Sequence, residues 1–263
     1  MRLLHGIKRW YLSSVLRKAK IPFPLWQDSV SELVALKRLN TSQLTRLRKL
    51  SGLFMREKQF TAVAGLDLSE KMMVQIAAQA CLLILNRNLS DFDGWHEIIV
   101  YPDAFIVDYE HVDEAGVFHS AERTLGGEAW GRGPVILSWA DADPVRQDAH
   151  HSGSNVVLHE FAHKLDMLNG VANGMPVLNQ DMLREDWTQK FSCAYDRLLR
   201  RLEHGRHVSI DPYAGQSPAE FFAVVSEYFF MAPLHLQEHY PGVYGELRKY
   251  YRQNPLENIE IKQ

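Results

Sequence analysis

Residues 159–163 read His-Glu-Phe-Ala-His within an otherwise apolar run of Val156, Val157, Leu158, Phe161, Ala162 and Leu165. No other stretch limits the fold as strongly. Apolar residues at that spacing describe a helix buried over most of its circumference, with Ser154 or Asn155 as its cap. Two imidazoles and a carboxylate in such a helix are costly unless they are paired or hold a metal. Helix positions four apart lie about 40° apart around the axis and one turn along it, so His159 and His163 can reach the same ion. Glu160, rotated by about 100° from His159, is placed to hydrogen-bond a water beside that ion rather than to ligate it. With zinc at the imidazoles a water is readily deprotonated near neutrality, and Glu160 can take its proton and pass it to a leaving amine. The competing reading is a chance pentapeptide in a chain with twelve histidines. The helical apolar surroundings argue against it.

A hydrolytic zinc site needs a third protein ligand and an open fourth position. The best source is residues 209–230, SIDPYAGQSPAEFFAVVSEYFF. Pro218 suits the first turn of a helix running to Phe230, and Glu220 falls in that turn amid residues suited to a core. An acid there needs something positive to face. Glu227, two turns on along the same face, competes for the role. Glu220 is the preferred ligand, which leaves Glu227 as a carboxylate behind a metal ligand or an exposed charge.

Around these motifs, 263 residues with 46% hydrophobic and 23% charged content suit one globular domain. The formal net charge of -3 provides no overall field for nucleic acid or a membrane. Cys81 and Cys193 stand far apart in no metal or redox pairing. The expectation is a reducing, cytoplasmic compartment. Residues 1–25 form a basic arm (Arg2, Lys8, Arg9, Arg17, Lys18, Lys20) without the apolar run of a secretory signal, and residues 26–263 form the single domain. Two prolines in KIPFPLW, residues 20–26, separate the arm from the helical region beyond it.

From Asp28 to Leu85 apolar residues recur at helical spacing, and the most apolar part, Met72–Leu85, is too short to span a bilayer. HEIIVY (96–101), AFIVD (104–108) and PVILSW (134–139) read as strands, while the glycines at 116, 126, 127, 131 and 133 mark a loop. Helices resume after Ser154. Helices, sheet, then helices give an α+β fold with a helical N-terminal half and a small mixed sheet. The strand over 134–139, just upstream of the HExxH helix, is the expected edge for an extended peptide, the alternative being an interior strand.

HEFAHKLDMLNG followed by YAGQSPAEFFAVVSEYFF resembles the Mlc titration factor A family, cytosolic bacterial zinc peptidases linked to control of glucose uptake. HEIIVYP, GPVILSW and YRQNPLENI extend the likeness over most of the chain, and it weakens before about residue 25. The spacing from Tyr213 to Glu220, followed by Phe221, Phe222 and Ala223, is also similar to the catalytic domain of lethal-factor-type peptidases. The resemblance implies a zincin-like fold and one zinc held by His159, His163 and Glu220. It further implies Glu160 as general base, Tyr213 as hydroxyl donor to the oxyanion, and His119 as a further metal contact. The alternative for Tyr213 is a loop aromatic packed on the surface. A fourth protein ligand closes a zinc site, so His119 would have to leave before substrate enters.

Three functions are compatible with these residues. One is zinc-dependent hydrolysis at the amino terminus of short peptides, as the resemblance implies. The second, also implied by it, is capture of the DNA-binding repressor Mlc without cleavage. The third is a zinc-stabilised fold with no turnover, against which the intact Glu160 argues.

Overall fold

The computed structural model describes residues 20–103, 105–112, 118–125, 127–129, 133–145 and 153–257, with backbone alone in the segments from 105 to 129. The basic arm before residue 20 lies outside this range. The helical region expected beyond the prolines of KIPFPLW starts within that segment. Pro22 caps α1 (Phe23–Val30), with Pro24 in the first turn, where no N–H is needed, and Trp26 buried. Two capped helices come next, α2 (Thr41–Glu57) behind Asn40 and α3 (Glu70–Leu83) behind Ser69. From Val74 to Leu83 every residue of α3 is buried, as its apolar composition requires.

The N-terminal half is not wholly helical, because β1 (Gln59–Ala62) lies between α2 and α3. It pairs in parallel with β2 (Glu97–Tyr101), and a four-residue strand whose partner is distant in sequence leaves little local signal. The expected strands appear as β2, β3 (Phe105–Val112) and β6 (Val135–Ser138). The glycine-rich stretch is a loop only in part. It contains β4 (Phe118–Leu125), antiparallel to β3, and the short β5 (Gly127–Ala129), which begins on one of the glycines.

The larger sheet runs in the order β1-β2-β6-β5, parallel except for the antiparallel β5–β6 pair. In it β6 is interior, between β2 and β5, which corrects the expectation of an edge there. The edge on that side is β5. After the short α4 (Trp139–Ala142), the helix α5 (Val156–Asp166) packs against β5, β6, α3 and α7 (Pro218–Met231). Phe161 fixes its rotation, since its ring meets Phe54, Phe92 and Trp95 at centroid distances of 5.7, 5.4 and 5.8 Å. Residues two apart point to opposite sides of a helix, so this anchor turns His159 and His163 away from the aromatic cluster.

The helices α6 (Arg184–Glu203), α8 (Pro233–His239) and α9 (Pro241–Tyr251) complete the fold. Around α7 they pack Trp187, Phe222, Phe229, Tyr250 and Tyr251, all fully buried or nearly so. Among the described residues no helix is long and apolar enough to cross a membrane.

Candidate metal centre

The two long buried helices α5 and α7 bring three donor side chains together. Asn155 caps α5 by accepting from Leu158 N at 2.9 Å, and Ser217 caps α7 by accepting from Glu220 N at 3.1 Å. Each cap fixes the first turn of its helix, and Glu220 stands within that turn. His159 Nε2 lies 2.9 Å from Glu220 Oε2 and 3.2 Å from His163 Nε2, and His163 Nε2 lies 3.3 Å from the same carboxylate oxygen. Among the described residues these three alone group as potential metal ligands, with all donor atoms within 4.8 Å of one another.

Glu227 is neither exposed nor a ligand of this cluster. It is buried, its Oε1 accepts from His159 Nδ1 at 2.7 Å, and its Oε2 accepts from the backbone N–H of Asn155. Such a bond fixes the tautomer of a metal-binding imidazole and raises its basicity. Asn155 Nδ2 in turn donates to Gln79 Oε1 at 2.6 Å, so α3, α5 and α7 meet behind His159.

With Nδ1–H committed to Glu227, a neutral His159 presents the Nε2 lone pair to a carboxylate oxygen and to a second imidazole nitrogen. Those contacts repel unless a cation or a proton lies between them. Burial alone lowers the His159 pKa, but Glu227 and Glu220 outweigh it and hold it well above its ordinary value. Burial holds His163 below its ordinary value, and the charge on His159 adds to that effect. Burial raises the Glu220 carboxyl, yet hydrogen bonds from the two histidines bring it down to about 2. The protein alone therefore meets the repulsion with one proton. A divalent cation fits the same place, because two imidazole nitrogens and a carboxylate oxygen suit zinc.

Glu160 is buried on the same helix, and the Tyr213 ring, on a short turn at Pro212–Gly215, lies 5.9 Å from the His159 ring between centroids. Asp211 holds that turn, accepting from Tyr213 N at 2.9 Å. The position named from sequence as His119 falls on β4, opposite His111 in the pairing register, and its side chain lies outside the described residues.

Sequence reading missed two supports. Lys164, one turn past Glu160, is buried, donates to Gly133 O at 2.8 Å and sits 4.7 Å from the Trp95 ring centre, tying α5 to the segment that enters β6. Asp166 Oδ2 accepts from Gly174 N at 2.7 Å, and Trp187 Nε1 donates to Gly174 O at 3.1 Å. Gly174 lies so close to Pro218 that a Cβ there would stand 2.4 Å from the Pro218 carbonyl oxygen. The segment after α5 is thereby locked onto the turn that carries Glu220. Only the buried acid at position 166 gave any hint of it.

The chain belongs to the glucose-regulated metallo-peptidase M90 family, whose profile matches residues 7–252. Its relatives include Mlc titration factor A of Escherichia fergusonii, 36% identical over 238 residues, which cover 89% of this chain and 87% of the relative. The protein of that name from Pectobacterium atrosepticum is 36% identical over 240 residues (89% and 88%), and that from Cronobacter sakazakii is 34% identical over 250 residues (93% and 91%).

Proposed function

We propose that this chain is a zinc-dependent peptidase that hydrolyses peptide bonds at the amino terminus of short peptides. The observation that carries the proposal is the convergence of three electron-pair donors, His159 Nε2, His163 Nε2 and Glu220 Oε2, in a partly buried site. They would hold the metal, one per chain. Bound zinc would supply Lewis-acid chemistry, favouring hydroxide near neutral pH and polarising the scissile carbonyl. Glu160 takes the proton from the attacking water and returns it to the leaving amine. Tyr213 offers its hydroxyl to the charge that develops on the carbonyl oxygen. Glu227 keeps His159 in the tautomer that leaves Nε2 free to bind. His119, if it reaches the metal, acts as a displaceable fourth ligand that must leave before substrate binds.

The metal assignment is tested by zinc content. About one zinc per purified chain is expected, largely lost in His159→Ala or His163→Ala. Stoichiometric zinc in the variant lacking both histidines would contradict it.

A second activity rests on the relatives, which are named as titration factors of Mlc. In this reading the chain also captures a DNA-binding repressor of that kind through a surface patch. An interface depends on many residues, so capture should survive Glu160→Gln, which changes one buried charge and little shape. Loss of capture by the folded, zinc-loaded variant would refute that separation.

A further inference from the structure

A cavity of about 750 Å³ lies next to the metal centre in the chain without including its ligands. Ser154 in its lining precedes Asn155, Tyr228 comes directly after Glu227, and Asp211 and Pro212 lead into Tyr213. Its volume lies within the range of small-molecule sites. What distinguishes it is charge.

Arg197 and Arg201 line it from α6, one turn apart, against the single acid Asp211. Like charges at that spacing repel, and neither arginine has an acidic partner among the described residues. Asp211 already holds the Tyr213 turn. Both guanidinium groups are instead fixed by neutral contacts. Arg197 Nη2 donates to His239 O at 2.6 Å and its guanidinium lies 4.8 Å from the Tyr240 ring centre, while Arg201 Nε donates to His207 O at 2.9 Å. Five N–H groups are available on each arginine, so most donors remain for a ligand, on side chains already ordered.

His235 and His239 also line the cavity, stacked with ring centroids 4.3 Å apart. His235 Nε2 is bonded to Ser209 O, and His239 Nδ1 to His235 O at 3.1 Å. Each ring thus directs one nitrogen at a carbonyl, and neither adds negative charge.

We propose that this cavity binds a small molecule bearing a carboxylate or a phosphate group, at a site separate from the metal centre. An anion would relieve the repulsion between the arginines and accept from both forks, the geometry that guanidinium groups favour for either group. A volume of about 750 Å³ suits a small ligand.

The test is calorimetric titration of the zinc-loaded protein with inorganic phosphate and, separately, with succinate, at fixed ionic strength. Saturable binding of one equivalent of either probe is expected, about tenfold or more weaker in Arg197→Gln/Arg201→Gln. The tighter probe tells whether phosphate or carboxylate is preferred. Both probes can also ligate zinc, so dependence on the arginines decides the location. Equal affinity in wild type and variant would overturn the proposal, as would no saturable binding of either probe. Both arginines are exposed, and Arg197→Gln by itself provides the same comparison if the double variant loses its fold. The readout does not use peptide hydrolysis. A chain without peptidase activity would leave this inference standing.

Discussion

Replacing Glu227 by glutamine should weaken zinc binding without removing a ligand. Its carboxylate accepts two bonds, from His159 Nδ1–H and from the Asn155 N–H, both in the buried interior. A glutamine has one carbonyl oxygen and one amide group, so whichever way it is turned one donor faces another donor. An unmet buried donor costs about 1–3 kcal/mol, which should appear as lost thermal stability in the metal-free protein. The imidazole also loses the negative partner that raises its basicity, and changes behind a ligand typically reduce metal affinity by about 10–100-fold, or about 1.4–2.7 kcal/mol. Glu220→Ala removes a donor atom itself and should lose more. Competition against a chromophoric chelator measures both affinities on one scale. If Glu227→Ala or Glu227→Gln lost more zinc affinity than Glu220→Ala, Glu227 would be the third ligand and the reasoning would fail.

Gly174→Ala should destabilise the fold and weaken zinc binding together, since the added Cβ would meet the Pro218 carbonyl at 2.4 Å and the backbone has φ of +75°. The left-handed conformation alone costs a non-glycine residue about 1–2 kcal/mol, and an unchanged melting temperature and zinc affinity would remove the Asp166–Gly174–Pro218 lock from the account. Burial pushes the Asp166 carboxyl up to about 6 from 3.8, so the folded state holds its proton more tightly between those values. Its contribution therefore favours folding at low pH and declines as pH rises from about 4 to 6, by about 2–3 kcal/mol in all, and Asp166→Asn should flatten the denaturation free energy over that window. A variant whose pH profile parallels that of the wild type would contradict this. For His119→Ala the expectation is weaker zinc binding with faster turnover per bound zinc at saturating metal. Unchanged values would make His119 a bystander, and a fall in both would make it a support for catalysis.

Much of the site was legible because the chemistry demands fixed spacings. Two histidines four apart on a buried helix, and an acid in the first turn of a second apolar helix, describe side chains that need a common partner before any contact is known. The structure brings those side chains within hydrogen-bond distance of one another. The order of helices, sheet and helices was also readable from periodicity. What escaped was short or non-local. β1 has four residues and a partner nearly forty positions away, and β5 has three residues beside a glycine. The interior place of β6 depends on one of them, β5, which takes the side that β2 leaves open, because a strand becomes an edge or a centre only through its neighbours. Asp166, Gly174 and Lys164 support the site through contacts that no periodic pattern announces.

The most direct test of a zinc peptidase built on His159, His163 and Glu220 is peptide hydrolysis by wild type and Glu160→Gln, with zinc quantified on the same samples. The account predicts one zinc in both and turnover at least about a hundredfold lower in the variant, since only the proton acceptor is removed. Equal turnover in the two would take Glu160 out of the mechanism, and zinc without hydrolysis in either would leave repressor capture as the function of the chain.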